Sequence, residues 1–338
     1  MKRIYLATLV LGLVALATQA EAGTDRRIGT AGAQELRIPV GTRGIALAGA
    51  TVASNHGLES VFYNPAGLAS TEGVEAYFGN TSYIADINVR YLALSSKMDW
   101  GSLAFTAKVL DLGDLIVTTE DAPEGTGQVE TLTFAVIGLT ASRYLTDAIS
   151  FGATGYFINE SILDVHAKGV AFDMGLHYDL PWRNARFGLV MKNLGPDMAF
   201  DGANLEHSVQ IPGSSPNSRP RVLRTQSAAF DLPTYFELGG EMSAWTSGDN
   251  QVMGYGTYQS NNFSKDEFRG GVEYNYQDLL SLRGGYAYAD QNDYLFGPSF
   301  GAGLNLPLGG GTVSVDYAFQ SVDSFFDDMH TISARFKF

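Results

Sequence analysis

The sequence predicts an all-β fold: a transmembrane antiparallel β-barrel of about 14 strands, with an N-terminal plug (hatch) segment in its lumen. Three observations predict it. The last ten residues, Met329 to Phe338, alternate strictly. Ile332, Ala334, Phe336 and Phe338 fall on one parity, and Thr331, Ser333, Arg335 and Lys337 on the other. A period of two marks a strand with one apolar and one polar face. From Val74 onward such stretches recur at about ten residues, the length that crosses a bilayer at a tilt. Finally, Gly and aromatics abound (39 Gly, 17 Tyr, 20 Phe) while charged residues make up 17%. That composition spreads hydrophobic residues over alternating strands, and past the N-terminus no apolar run is long enough for a helical span.

The chain divides into three segments. Residues 1–22 read as a signal peptide: Lys2 and Arg3 precede the apolar run Ile4 to Ala17, and Ala20-Glu21-Ala22 offers the small residues of a cleavage site. The run is too short for a membrane helix. No Cys occurs, so disulfides and thiol chemistry are excluded. Net charge is −14, and removal of Lys2, Arg3 and Glu21 leaves 20 basic and 35 acidic residues, which argues against nucleic acid as a partner.

Residues 23–73 form a small, polar lead followed by the plug. Gly41, Gly44 and Gly49 are spaced among Ala and aliphatic residues, a pattern for close backbone packing and turns. Asn64 suits a helix cap and Pro65 the first helical position, so Ala66-Gly67-Leu68-Ala69 should make one short helical turn. Lacking strand alternation, this segment should sit inside or beneath the barrel.

The run IPVGTRGIALAGATVAS, followed by VFYNPAGLA, resembles the N-terminal signature of the PorV/PorQ family, which is related to the FadL outer-membrane transporters of hydrophobic compounds. Gly41 and Arg43 match its Gly-x-Arg opening, and Phe62 or Tyr63 with Asn64, Pro65, Ala66, Gly67 and Leu68 match its aromatic-x-Asn-Pro-Ala-Gly-Leu box. Ala48-Gly49 stands where a Gly pair is usual. The resemblance implies residence in the bacterial outer membrane and contact with its lipid and with the barrel-assembly machinery. In such barrels the closing strand, here ending in Phe336 and Phe338, is the insertion signal. The implied function is non-enzymatic: an accessory barrel of a type IX-like secretion system that engages secretion proteins. The alternative is a passive FadL-like transporter that takes long-chain fatty acids or other hydrophobic molecules past the plug and sideways through the wall.

Residues 74–338 supply the barrel. Candidate strands are 74–81, 87–97, 101–110, 129–141, 148–158, 168–179, 185–194, 233–245, 251–260, 267–277, 280–289, 299–307, 312–320 and 329–338. In the tenth, Phe268, Val272, Tyr274 and Tyr276 oppose Glu267, Arg269, Glu273 and Asn275. The sixth sets Val170, Phe172, Met174, Leu176 and Tyr178 against Asp173, His177 and Asp179. The fourth and ninth alternate poorly. Short connections alternate strictly with longer ones at 82–86, 111–128, 159–167, 195–232, 261–266, 290–298 and 321–328, as periplasmic turns and outer loops should. Trp100, Trp182 and Trp245 all fall at the short-turn end, as an inner aromatic belt would. An even strand count pairs the last strand with the first, placing the seam beside the Asn-Pro box. Arg90, Lys108, Asp173, Lys192, Glu237, Glu241, Arg269, Glu273, Arg283, Asp316, Arg335 and Lys337 should face the lumen, a mixed-charge interior suited to a filled barrel.

Catalytic, cofactor and metal sites find no support. His56, His166, His177, His207 and His330 are scattered, and no H-E-x-x-H, G-x-S-x-G or phosphate loop occurs. His177 between Asp173 and Asp179 reads as a lumen hydrogen-bond network. Glu120-Asp121 with Glu124, and Asp327-Asp328, read as solvated loop charge and not as calcium ligands. The long loop 195–232 mixes Met198, Phe200, Ile211, Val222, Leu223 and Phe230 with Arg219, Arg221 and Arg224. It is either an extension of its strands toward lipid phosphates or a surface for a ligand or partner. An apolar pocket continuous from this loop to Asn64 would favour transport, and a solidly packed plug under polar loops would favour secretion.

Overall fold

The computed structural model describes residues 27–54, 57–210, 213, 219–290, 294–323 and 326–338. The signal-peptide reading, His56 and Ile211 lie outside these. Fourteen strands build the wall: β1 (Val74–Ser82), β2 (Asn88–Met98), β3 (Gly101–Ile116), β4 (Val129–Thr146), β5 (Ile149–Ile162), β6 (Val165–Asp179), β7 (Arg186–Leu194), β8 (Tyr235–Ser247), β9 (Asn250–Asn261), β10 (Glu267–Tyr276), β11 (Leu280–Ala289), β12 (Phe296–Leu308), β13 (Gly311–Val322) and β14 (Met329–Lys337). Each pairs antiparallel with the next, and β14 closes on β1 with Ala76 opposite Phe336 and Thr81 opposite Thr331. Closure removes both sheet edges, so no row of strand N–H and C=O groups is left unpaired.

Parity decides which side chains face out. On β6, Val170, Phe172, Met174, Leu176 and Tyr178 are exposed while Asp173 and His177 are buried. The same division holds on β10, where Phe268 and Val272 face out and Glu267 and Glu273 face in. The outward faces join into an apolar surface around the barrel, far larger than a water-exposed protein face sustains.

One end carries the short turns, among them Asp99-Trp100, Asp147-Ala148, Gly248-Asp249 and Gly309-Gly310. The other carries the loops 83–87, 117–128, 195–234, 262–266, 290–295 and 323–328. Strict length alternation fails at one point. The expected loop 159–167 is a hairpin whose strands run on to Ile162 and resume at Val165, with Leu163 in the left-handed region at φ 53°. β5 and β6, at 14 and 15 residues, exceed a membrane crossing, and their ladder consumes the residues that would have formed the loop.

The described residues of 33–71 lie within the barrel wall and are buried almost throughout. Their helices are short: α1 (Thr42–Ala46) and 3₁₀ turns at Gln34–Leu36, Gly57–Phe62 and Pro65–Ser70. Ile38, Val40, Leu58, Val61 and Leu68 pack on Tyr77, Val89, Tyr91 and Leu110 of β1–β3. Leu47 and Ala50 meet Met253 and Tyr255 of β9, and Ile45 and Ala46 meet Ala318 of β13. The segment thus touches the wall on opposite sides.

Candidate functional site

Above this inner segment, at the long-loop end, lies a cavity of about 720 Å³. Tyr83, Ile84 and Ile87 of the β1–β2 loop, Leu110 and Leu112 of β3, Phe134 of β4, Phe200 of the long loop and Phe296 of β12 line one part of it. Arg37, Tyr235, Glu237, Glu267 and Arg269 line another, and Phe62 and Tyr63 lie in its lining from the inner segment. The polar part is internally matched. Arg37 donates to Ser264 at 3.1 Å and to Glu267 at 3.3 Å, and Arg269 reaches Glu237 at 3.2 Å and Glu267 at 2.8 Å. Burial pushes the Tyr83 phenol up to about 12, so it stays neutral. The cavity runs from Phe200 to Phe62 and Tyr63 and does not reach Asn64.

Below the cavity, Arg43 forms the densest polar junction. Its guanidinium spans Glu273 (2.6 Å), Tyr255 Oη (2.8 Å) and Ser54 Oγ (2.5 Å), and its backbone N–H donates to Glu59 Oε1 at 2.7 Å. Arg283 extends the chain to Glu273 at 2.8 Å and to Asp316 at 2.5 Å. A buried charge is tolerated only when so paired. Burial raises the Glu59 carboxyl above the usual range, with Asp316 adding to it. Phe62 is held between two ammonium groups, Lys192 at 4.0 Å and Lys108 at 5.0 Å from its ring centroid.

Asn64 caps the 3₁₀ turn at Pro65, its Oδ1 accepting from Ala66 N at 3.0 Å. Its Nδ2 donates to the Val52 carbonyl at 2.9 Å and, more weakly, to those of Leu176 and Leu189 in the wall. Wall glycines make this approach possible. A Cβ at Gly175 would collide with Asn64 Oδ1, and one at Gly152 with the Pro65 carbonyl. The Asn-Pro box therefore sits against β5–β7, and its expected place beside the closing seam is corrected. Thr42 lies there instead, its N–H donating to Tyr77 Oη at 3.0 Å and its hydroxyl to Ser333 at 2.7 Å.

The other motif residues are distributed as follows. Gly41 and Gly49 hold positive φ of 93° and 78°, while Gly44 lies under the Tyr63 ring and Gly67 against Ser60. Ala48 also holds a positive φ, 53°. Trp100, Trp182 and Trp245 are all exposed at the short-turn end, and Phe336 and Phe338 face outward. Of the expected lumen residues, Arg90 is corrected. It shares parity with the outward Leu92 and Leu94, and pairs with Asp111 at 3.7 Å with its side chain 60% exposed. Lys337 sits at the rim near Glu72, 3.6 Å away. His177 is buried and bonds the Val52 carbonyl at 2.9 Å, while Asp173 accepts from Asn193 N and Asp179 pairs with Arg186. Among the described residues no three His, Asp or Glu side chains converge as metal ligands.

The long loop divides in two. Met198, Phe200, Phe230 and Leu232 fold inward on Ala33, Leu36, Val136 and Ile158. A hairpin of Glu206–Val209 and Arg221–Arg224 stands exposed, with Arg224 paired to Asp201. Sequence reasoning missed Glu35 and Glu160, which are 2% and 4% exposed and line the cavity. Glu35 interrupts the apolar residues Ala33 and Leu36, and Glu160 shares the inward parity of Ile158, but nothing in the sequence brings them together. Burial first, and Glu160 second, push the Glu35 carboxyl up to about 8.

No protein-family model matches the sequence, and no curated protein sequence matches it. Solved structures are similar. The CymD monoaromatic hydrocarbon channel aligns at a TM-score of 0.55 and 15% identity, over 89% of this chain and 98% of that one. The Pseudomonas putida toluene transporter TodX aligns at 0.53 and 13%, covering 88% and 96%, and a Pseudomonas aeruginosa FadL homologue at 0.52 and 15%, covering 89% and 99%. At this identity the likeness is one of fold: the chain folds as these three proteins do.

Proposed function

We propose that the protein is a bacterial outer-membrane channel for small hydrophobic molecules, with residues 33–71 acting as its plug. The observation that carries this is the cavity of about 720 Å³, apolar on one side and open among the long loops, with the inner segment below it. The shared fold with channels described as carrying monoaromatic hydrocarbons and toluene supports it. The outward apolar surface suits lipid, the exposed Trp100, Trp182 and Trp245 suit an interfacial belt, and Phe336 and Phe338 suit the signal read by the assembly machinery.

A molecule in the cavity meets ion-paired, bonded packing below and weaker wall at the side. The β3–β4 ladder shifts register between Asp111 and Asp114, next to the cavity residues Leu110 and Leu112. A bulge leaves residues unpaired and the wall locally loosened. We place the sideways exit there. The resemblance to the PorV/PorQ family supports a second reading, docking of secretion proteins, for which the exposed Val222 and Leu223 of the loop hairpin offer a surface. Native mass spectrometry of protein purified from its own membranes separates the two. Bound apolar small molecules are expected; stoichiometric recovery of translocon or secreted proteins without them would overturn the transport reading.

A further inference from the structure

The cavity has two unlike polar regions. In one, each cation is engaged: Arg37 by Ser264 and Glu267, Arg269 by Glu237 and Glu267, and Lys192 by the Phe62 carbonyl. Lys265 is not free either. In the other, Glu35 of the inner segment and Glu160 of β5 line the cavity at 2% and 4% exposure, the charge of Glu160 acts on the Glu35 carboxyl, and no salt bridge to either occurs among the described residues. The nearest cation, Lys108, gives its ammonium protons to the backbone carbonyls of Glu35 and Ile38, at 2.6 and 3.2 Å. Glu35 Oε1 has no hydrogen-bond partner among the described residues. Leu112, Phe134 and Phe200 give the same cavity its apolar surface.

We propose that this carboxyl pair is a recognition site for apolar molecules bearing a hydrogen-bond-donating head, an ammonium above a hydroxyl, and that it disfavours carboxylates. The inference rests on the transport reading and names its ligand class. Two neighbouring carboxyls in a dry site share a proton and hold one negative charge between them. An ammonium gives Glu35 Oε1 the donor it lacks and neutralises that charge, while its apolar body lies on Phe200 and Leu112. A ligand carboxylate would bring a further negative charge into the same low-dielectric wall and would find every cavity cation already occupied. The position of Glu35 near 8 supports the shared proton at neutral pH.

The test is calorimetric binding of toluene, benzyl alcohol, benzylamine and benzoate to the folded barrel in neutral detergent. Wild type should bind benzylamine at least tenfold tighter than benzoate, with benzyl alcohol between. E35Q and E160Q, each confirmed folded by its heat-dependent gel shift, should lower the benzylamine-to-toluene affinity ratio at least tenfold. Equal affinity for benzoate and benzylamine, or an unchanged ratio in both variants, would overturn the proposal. Because binding is read apart from flux, a barrel that binds benzylamine yet carries no toluene into liposomes would sink transport and leave this site standing.

Discussion

Arg43 reaches the lumen wall with three groups already turned toward it: Glu273, Tyr255 and, through its own segment, Ser54. Truncation would remove the guanidinium from Glu273, Tyr255 and Ser54 and leave a buried empty volume, while the backbone N–H to Glu59 and the Tyr255 bond to Glu273 remain. Arg43→Ala should therefore cost about 3–5 kcal/mol, read as a lowered guanidinium midpoint in detergent, and Arg43→Lys should recover little because an ammonium cannot span the fork. Ala48 predicts a gain. Its φ of 53° suits glycine, so Ala48→Gly should stabilise by about 1 kcal/mol in the same assay. Glu35 carries the pH dependence. Burial and Glu160 raise its carboxyl from the ordinary 4.5 to about 8 in the folded protein, so the folded state keeps a proton that the unfolded chain loses. That contribution is complete below 4.5 and is lost as pH climbs through about 8. The melting temperature of wild type, taken relative to Glu35→Gln, should fall between pH 5 and 8, with Glu160 and Lys108 the neighbouring charges.

At the scale of elements, the inner segment is held by backbone proximity as much as by ions. Glycines of β5, β6 and β11 leave room for Pro65, Asn64 and Leu47 where any Cβ would collide. Asn64→Ala removes a cap worth about 1 kcal/mol together with the bonds to Val52 and the wall. It should raise protease cleavage within 57–70 severalfold while the barrel stays folded; unchanged cleavage would contradict the pinning role. Much of this was legible in sequence. Asn64 as cap and Pro65 at the first helical position follow from local chemistry, and the strand faces follow from parity. Arg90 is the exception, because residue type puts a charge inward while its parity with Leu92 and Leu94 puts it outward. The β5–β6 hairpin is not legible there, because alternation past the membrane looks like loop when length alone sets the boundary. Sequence adjacency to β1 puts the Asn-Pro box at the seam, whereas the chain crosses the lumen first and the wall glycines that receive it are remote in sequence.

For the whole molecule, the barrel could be read from alternation and loop sorting, whereas the cavity could not. Its walls come from residues as distant as Arg37 and Phe296, and which inward side chains converge depends on closure and on the path of the inner segment. The same is true of function: the N-terminal motif points toward both secretion and transport, and the cavity stops at Phe62 and Tyr63, short of the continuity with Asn64 expected of a transporter, so the proposed transport reading leans on the apolar side of the cavity and the shared fold. The central claim is that hydrophobic molecules enter the long-loop cavity and leave through the wall. Toluene flux into liposomes containing the purified barrel tests it most directly. Flux should exceed that of protein-free liposomes at least tenfold and fall severalfold when Leu112→Trp fills the cavity wall beside the β3 bulge. Flux no greater than in protein-free liposomes, from a barrel shown to be folded, would contradict the account.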